Sequence, residues 1–193
     1  MTKFFFDDKA AKKAIGFIET FVTHTKGELT GKTLKLEDWQ SKIVGDIFVW
    51  KNKKTNLRKY RTVFIEVPRK NGKSTLCAAI GLYMLFADEE RGSEVYSAAG
   101  DRQQAGIVFE IAKGMILQSQ ELSERGKVFR NSIVNESKGN YYQAISSDSK
   151  TKHGFNANCI IFDELHTQPN RDLWDTLTTS TGSRRQPWTI AIT

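Results

Sequence analysis

Apolar side chains recur at helical spacing from residue 9 to 24, with Ala11, Ala14, Ile15, Ile18, Phe21 and Val22 on one stripe. That period predicts an amphipathic helix. Gly27 and Gly31 punctuate the stretch from Thr25 to Leu36, which reads as a loop. A second helix is predicted over 37–50, burying Trp39, Ile43, Ile47 and Trp50, and the basic segment 51–60 reads as a polar connector. Thr62 to Val67 is a short run rich in β-branched residues, as a buried strand requires.

Beyond that run the pattern alternates. Helices are predicted over 73–87, 102–117 and 171–179, and strands over 94–99, 159–162 and 188–193. Residues 128–147 read as short strands, with a hairpin carrying Tyr141 and Tyr142. Strands alternating with helices imply an α/β fold, a mostly parallel sheet with helices on both faces. The last predicted strand runs to the final residue, so the elements that close the sheet are expected beyond it.

Composition narrows the function classes. The chain has 193 residues, is 39% hydrophobic and 26% charged, and can bury a core. No run approaches the roughly 18 apolar residues that span a bilayer. Cys77 and Cys159 are far apart, and with His24, His153 and His166 they form no metal-ligand cluster, which argues against a disulfide scaffold or a zinc module. The two lone thiols suit a reducing cytosol. The net charge of +7 favours polyanionic partners, nucleic acid above all. Clumps at Lys9, Lys12 and Lys13, at Lys51, Lys53, Lys54, Arg58, Lys59 and Arg61, and at Lys150 and Lys152 read individually as solvated faces.

Two segments carry chemistry. Val67-Pro68-Arg69-Lys70-Asn71-Gly72-Lys73-Ser74 lies between a predicted strand and a predicted helix, the setting of a phosphate-binding loop. Gly72 lets the backbone approach a phosphate, Lys73 reaches the β- and γ-phosphates, and the Ser74 hydroxyl is a magnesium ligand; Thr75 belongs to the same anion-receiving helix start. Val67 stands where the usual G-x-x-x-x-G-K-[ST] pattern has its first glycine. The second segment is Cys159-Ile160-Ile161-Phe162-Asp163-Glu164, an apolar strand ending in two acids, the Walker B arrangement. At the carboxyl end of a parallel sheet these acids lie beside the first helix's N-terminus. Asp163 is placed to hold magnesium through water, and Glu164 to polarise the water that attacks the γ-phosphate. Together the motifs predict an ATP hydrolase.

These residues resemble the ATPase domain of the large terminase subunit of tailed bacteriophages. The resemblance rests on Leu36-Glu37-Asp38-Trp39-Gln40, on the variant loop from Pro68 to Ser74, and on Ser97-Ala98-Ala99 with Asp101 and Gln103-Gln104-Ala105. It also rests on Gly154-Phe155-Asn156 leading to Asp163-Glu164-Leu165-His166. It implies a P-loop NTPase of the ASCE/RecA-like type, a three-layer sandwich, truncated at its C-terminal side. A helical segment over 1–60 would carry the adenine-contacting region, and 61–193 the ATPase core.

The resemblance further implies ATP and Mg2+ as ligands, and a motor that threads double-stranded DNA into a capsid. That motor would work in the host cytoplasm as a ring of copies on a portal protein, with a small terminase subunit and no membrane. Gln40 would read the adenine edge and Trp39 pack beneath it. Arg69 would contact the γ-phosphate or couple hydrolysis to movement. An arginine finger from a neighbouring subunit finds no arginine in the loop before the acidic strand, which leaves Lys152, Arg102, Arg125 or Arg130. Lys51–Lys54 and Lys150–Lys152 are candidates for DNA phosphate contacts. Thr189–Thr193 resembles the start of the coupling motif. No carboxylate cluster of the family's nuclease domain is seen, so DNA cleavage is not expected. Two alternatives stay open: another nucleic-acid-stimulated P-loop ATPase of helicase type, and a nucleotide-holding module without turnover in isolation.

Overall fold

In a computed structural model, residues 2–147 and 154–193 are described. The chain builds one large sheet of seven strands in the order β3-β9-β8-β4-β7-β6-β5. Five of these run parallel: β3 (Thr62–Ile65), β9 (Trp188–Ile192), β8 (Ala157–Asp163), β4 (Glu94–Ala99) and β7 (Asn140–Ser146). The short β6 (Ser132–Asn135) and β5 (Lys127–Val128) continue the sheet antiparallel. The predicted hairpin is therefore real, and its second strand also joins β4 in parallel register, Glu94 opposite Tyr141 through Ala99 opposite Ser146.

Alternation along β8 divides the core into two layers. Cys159 and Ile161 face one side, where α1 (Asp8–Phe21), α2 (Asp38–Val49), α3 (Lys73–Phe86) and α4 (Arg102–Leu117) pack. Ile160 and Phe162 face the other, against Leu173 and Leu177 of α6 (Asp172–Thr179). Between them lies a strand buried at every position, as its continuous apolar run requires.

Helix α3 has no polar stripe. Every residue from Leu76 to Phe86 is buried, because the sheet lies on one side of it and α1 and α4 on others. At about 1.5–3 kcal/mol per buried Leu, Ile, Met or Phe side chain, this helix anchors the loop that precedes it.

Several expectations need correction. Helix α2 buries Gln40, Val44, Ile47, Phe48 and Val49, while Trp39 and Ile43 are only partly buried. Trp50 leaves the helix and enters β2 (Trp50–Asn52), which pairs antiparallel with β1 (Phe4–Phe6). The segment after it is not wholly a solvated connector: Arg58 is buried, bonded to Asp88 at 2.6 Å and to the Gln186 carbonyl at 2.6 Å. Helix α5 (Gln120–Arg125) was not foreseen. Among the described residues no helix is long and apolar enough to cross a membrane.

Candidate functional site

The chain leaves β3 at Ile65, and its next turn is fixed from both sides. Val67 N–H donates to the Thr193 carbonyl and Thr193 N–H to that of Ile65, each at 3.1 Å. Asn71 then bridges the turn, its Nδ2 donating to the Pro68 carbonyl at 3.0 Å and the Arg69 carbonyl at 3.3 Å. This brace ties the middle of the loop back to its start.

Lys70 has φ 70° and Gly72 φ 73°, both left-handed. Such alternation turns successive backbone N–H groups toward a common point, a concavity for anions. For Lys70 the conformation carries strain of the kind concentrated at ligand-binding loops. Gly72 caps α3 without any side-chain hydrogen bond, so the first N–H groups of the helix stay available.

Strand β8 delivers the acids to the same place. Lys73 Nζ donates to Glu164 Oε1 at 2.9 Å, joining residues 91 positions apart. Glu164 itself has φ 49°, a left-handed turn that swings its side chain off the strand axis. Its other oxygen accepts from Thr193 Oγ1 at 3.2 Å, and Thr193 Oγ1 lies 2.8 Å from His166 Nδ1. The Lys73 ammonium, above all, holds the Glu164 carboxyl below the usual range. Asp163 behaves oppositely. Burial, and then the neighbouring Glu164 charge, push its carboxyl up, against Lys73, the Glu164 N–H and the Ser74 hydroxyl.

Asp163 Oδ1 is buried without a hydrogen-bond partner among the described residues. A buried carboxylate oxygen with spare lone pairs, next to the Ser74 hydroxyl, is a donor set for a hard divalent cation. The residues fit Mg2+. Among the described residues no cluster of three or more His, Cys, Asp or Glu could hold a metal. Magnesium bound through one carboxylate, a hydroxyl and substrate phosphates needs no such cluster.

Beside the loop opens a cleft of about 470 Å³, bordered by Trp39, Gln40, Lys70, Asn71, Gly72 and Thr75. Gln40 is almost fully buried and fixed by a capping box: its Oε1 accepts from the Glu37 N–H at 3.0 Å, and the Glu37 side chain accepts from the Gln40 N–H. Its Nε2 faces Gly72, where a Cβ would come within 3.5 Å.

The predicted residues thus fall into three groups. Lys73, Ser74, Asp163 and Glu164 converge. Trp39, Gln40, Lys70, Asn71, Gly72 and Thr75 line the cleft. Pro68 and Arg69 are exposed and do not border the cleft. Elsewhere, Arg102 and Arg130 share a separate cleft of about 490 Å³ with Phe109, Glu110 and Gln143. Arg125 sits in the last turn of α5. Lys51 is tied to Asp7 at 2.8 Å and is only 20% exposed, whereas Lys53 and Lys54 are exposed. The Lys150–Lys152 group lies outside the described residues. Sequence reasoning missed His24, Leu34 and Lys35 on the cleft, which no motif marks. The Glu37–Gln40 spacing at a helix start was a readable capping signal. Cys77 and Cys159 are buried, and burial pushes both thiols up.

Residues 38–193 match the family described as "Terminase large subunit, ATPase domain". The chain is 30% identical over 190 residues to the large terminase subunit of Enterobacteria phage HK97, covering 94% of this chain and 36% of that protein. It therefore spans about a third of the length of that curated relative. The solved HK97 large terminase superposes with a TM-score of 0.81 at 26% identity, over 95% of this chain and 37% of the other. The large terminase ATPase domain of Thermus phage P74-26 shares the fold, with a TM-score of 0.56 at 20% identity over 69% of this chain and 59% of that one. The parallel sheet, the loop braced by Asn71 and the acids meeting Lys73 thus sit in a P-loop fold of known kind, and the chain belongs to the family of terminase large-subunit ATPase domains.

Proposed function

We propose that the chain binds ATP with Mg2+ and hydrolyses it to drive translocation of double-stranded DNA into a phage capsid. The observation that carries this reading is the meeting of Lys73, Ser74, Asp163 and Glu164, with a buried oxygen on Asp163 that has no partner among the described residues. The left-handed loop and the open start of α3 receive the phosphates, and Lys73 turns from Glu164 to their oxygens. Ser74 and Asp163 hold Mg2+, which supplies neutralisation of phosphate charge. Freed of the ammonium, Glu164 gains basicity and orients a water. As the water oxygen bonds to the γ-phosphorus, the bond to the β–γ bridging oxygen breaks and Glu164 takes the proton, giving ADP and phosphate. Thr193 and His166 keep the carboxylate directed.

Residues 61–193 form the ATPase core in this reading, and 1–60 carry the adenine-contacting region. Copies of the chain work as a ring on a portal protein, with a small terminase subunit, in the host cytoplasm. Arg69, exposed on the loop, contacts the γ-phosphate or couples hydrolysis to movement. A second reading, a nucleotide-holding module without turnover alone, is favoured by one observation: the lysine is already engaged by Glu164.

The test is Mg2+-dependent ATP hydrolysis by this chain and by Glu164→Gln, with and without double-stranded DNA. Turnover lost in the variant with binding retained supports the hydrolase. Binding without turnover in both supports the holding module, and no binding by either overturns both readings.

A further inference from the structure

The cleft beside the phosphate loop has a wall that none of the recognised motifs contributes. His24, Leu34 and Lys35 border it together with Trp39 and Gln40 and with Thr75 and Leu76 of α3. We infer that the segment from Thr23 to Leu36, and His24 above all, forms the stacking wall of the nucleotide site and gives it a preference for purine bases. This rests on the proposal that the cleft and the adjoining loop bind a nucleotide.

The backbone of this segment is built rather than loose. Thr23 and Thr33 form an antiparallel bridge. Leu34 N–H donates to the Val22 carbonyl at 2.8 Å, His24 N–H to that of Lys32 at 2.9 Å, and Gly31 N–H to that of His24 at 2.9 Å. In extended backbone successive side chains point to opposite sides. Thr23 is buried and its hydroxyl donates to the Met115 carbonyl of α4 at 3.5 Å. His24 takes the other side, half-buried on the cleft.

The segment is also seated on α4. A Cβ on Gly114 would lie 2.9 Å from Thr25 Cγ2, so only glycine admits this close approach. Gly31 N–H donates to Gln118 Oε1 at 3.1 Å. The backbone that carries His24 is thus held from α4.

Chemistry then selects the ligand. A flat ring on a cleft that Leu34 and Leu76 also line suits stacking, and histidine is among the side chains on which bases stack. Across the cleft, the capping box commits Gln40 Oε1 to Glu37 and leaves the Nε2 donor toward Gly72. A purine offers both the larger stacking face and the N7 acceptor. A pyrimidine offers neither.

The test is calorimetric titration of the 193-residue chain with three Mg2+-loaded probes: non-hydrolysable analogues of ATP and of CTP, and inorganic tripolyphosphate. His24→Ala should weaken the ATP analogue about tenfold, with tripolyphosphate within about twofold of wild type, as loss of one stacking partner predicts. The ATP-over-CTP ratio should fall by a similar factor. His24→Phe should restore most of the affinity. Gly114→Ala, which improves helix propensity, should reproduce part of the loss by displacing Thr25.

Unchanged ATP and CTP affinities in His24→Ala overturn the wall. A parallel loss of tripolyphosphate affinity overturns it too, because His24 would then act through the loop. Lys73→Ala should weaken all three probes. If wild type binds tripolyphosphate as tightly as the ATP analogue, the wall fails and the phosphate site stands. If it binds none of the three, the nucleotide reading fails and takes the wall with it.

Discussion

The two ends of the central sheet treat charge differently. At the amino end each buried charge meets an opposite one inside the protein. Arg58 and Asp88 pair at 2.6 Å with both side chains at most 5% exposed, and Arg184 lies 3.8 Å from Glu94. Glu94 also accepts from the Tyr96 hydroxyl and the Asn156 N–H, while Arg184 donates to the Asn156 and Gly92 carbonyls. Arg58 Nε and Asp88 Oδ2 are buried with no further hydrogen-bond partner among the described residues, but the charge of each group is met by the other. At the carboxyl end Asp163 is buried against Glu164, a like charge, and Lys70 and Glu164 hold left-handed backbone. The first end is arranged to be finished by folding. The second keeps polar capacity for something that arrives later, and the sequence spends strain there.

Substitutions at the two ends should separate stability from activity. Arg58→Ala leaves Asp88 buried and unpaired, and should lower unfolding free energy by about 3–5 kcal/mol in urea titration. Loss below 1 kcal/mol would mean that the amino end is not a stability centre. At the other end Glu164→Gln should leave the denaturation midpoint nearly unchanged and reduce ATP turnover at least about a hundredfold, the scale of a lost general base. A large stability loss from this variant would erase the contrast.

Lys70→Gly removes left-handed strain, and should raise stability by about 1 kcal/mol. A fall would show that the Lys70 side chain holds the loop. The smallest effect belongs to Asp7, whose carboxyl Lys51 holds below its ordinary value of 3.8. Its folded form favours the carboxylate, so the contribution is fully present above that value and disappears as pH falls through the lower folded one. Asp7→Asn should therefore cost at most about 1 kcal/mol at pH 7, and less in acid as the pH falls through the folded value. Equal losses at pH 7 and in acid would assign the effect to packing.

Local signals carried most of the functional end. The loop and helix from Val67 to Phe86 and the apolar strand into Asp163-Glu164 are continuous in sequence, so period and composition expose them. The strand before the loop, predicted as buried to Val67, is instead an edge strand that ends at Ile65 with Thr62 and Phe64 exposed. What stayed hidden depends on partners far along the chain. β1 and β2 are three residues each and gain meaning only by pairing across more than forty positions, Phe4 with Asn52, Phe5 with Lys51 and Phe6 with Trp50. Arg58 sits in a run of basic residues that reads as solvated, and only the fold brings Asp88 beneath it. The cleft wall at His24 follows from a bridge between Thr23 and Thr33, inside a stretch that glycine content marks as loop. Val67 can stand where a glycine is usual because its φ is not positive, the left-handed positions of this loop being Lys70 and Gly72.

The pairing of Lys73 with Glu164 has a consequence for rates. In the proposed nucleotide site Glu164 would be a tethered competitor, bound to the same ammonium that an incoming phosphate would claim. Because it is always present at high local concentration, it weakens equilibrium affinity while recapturing the lysine whenever a phosphate lets go. A site built this way trades residence time for release, and its empty state is a closed electrical circuit rather than an open charge waiting in solvent.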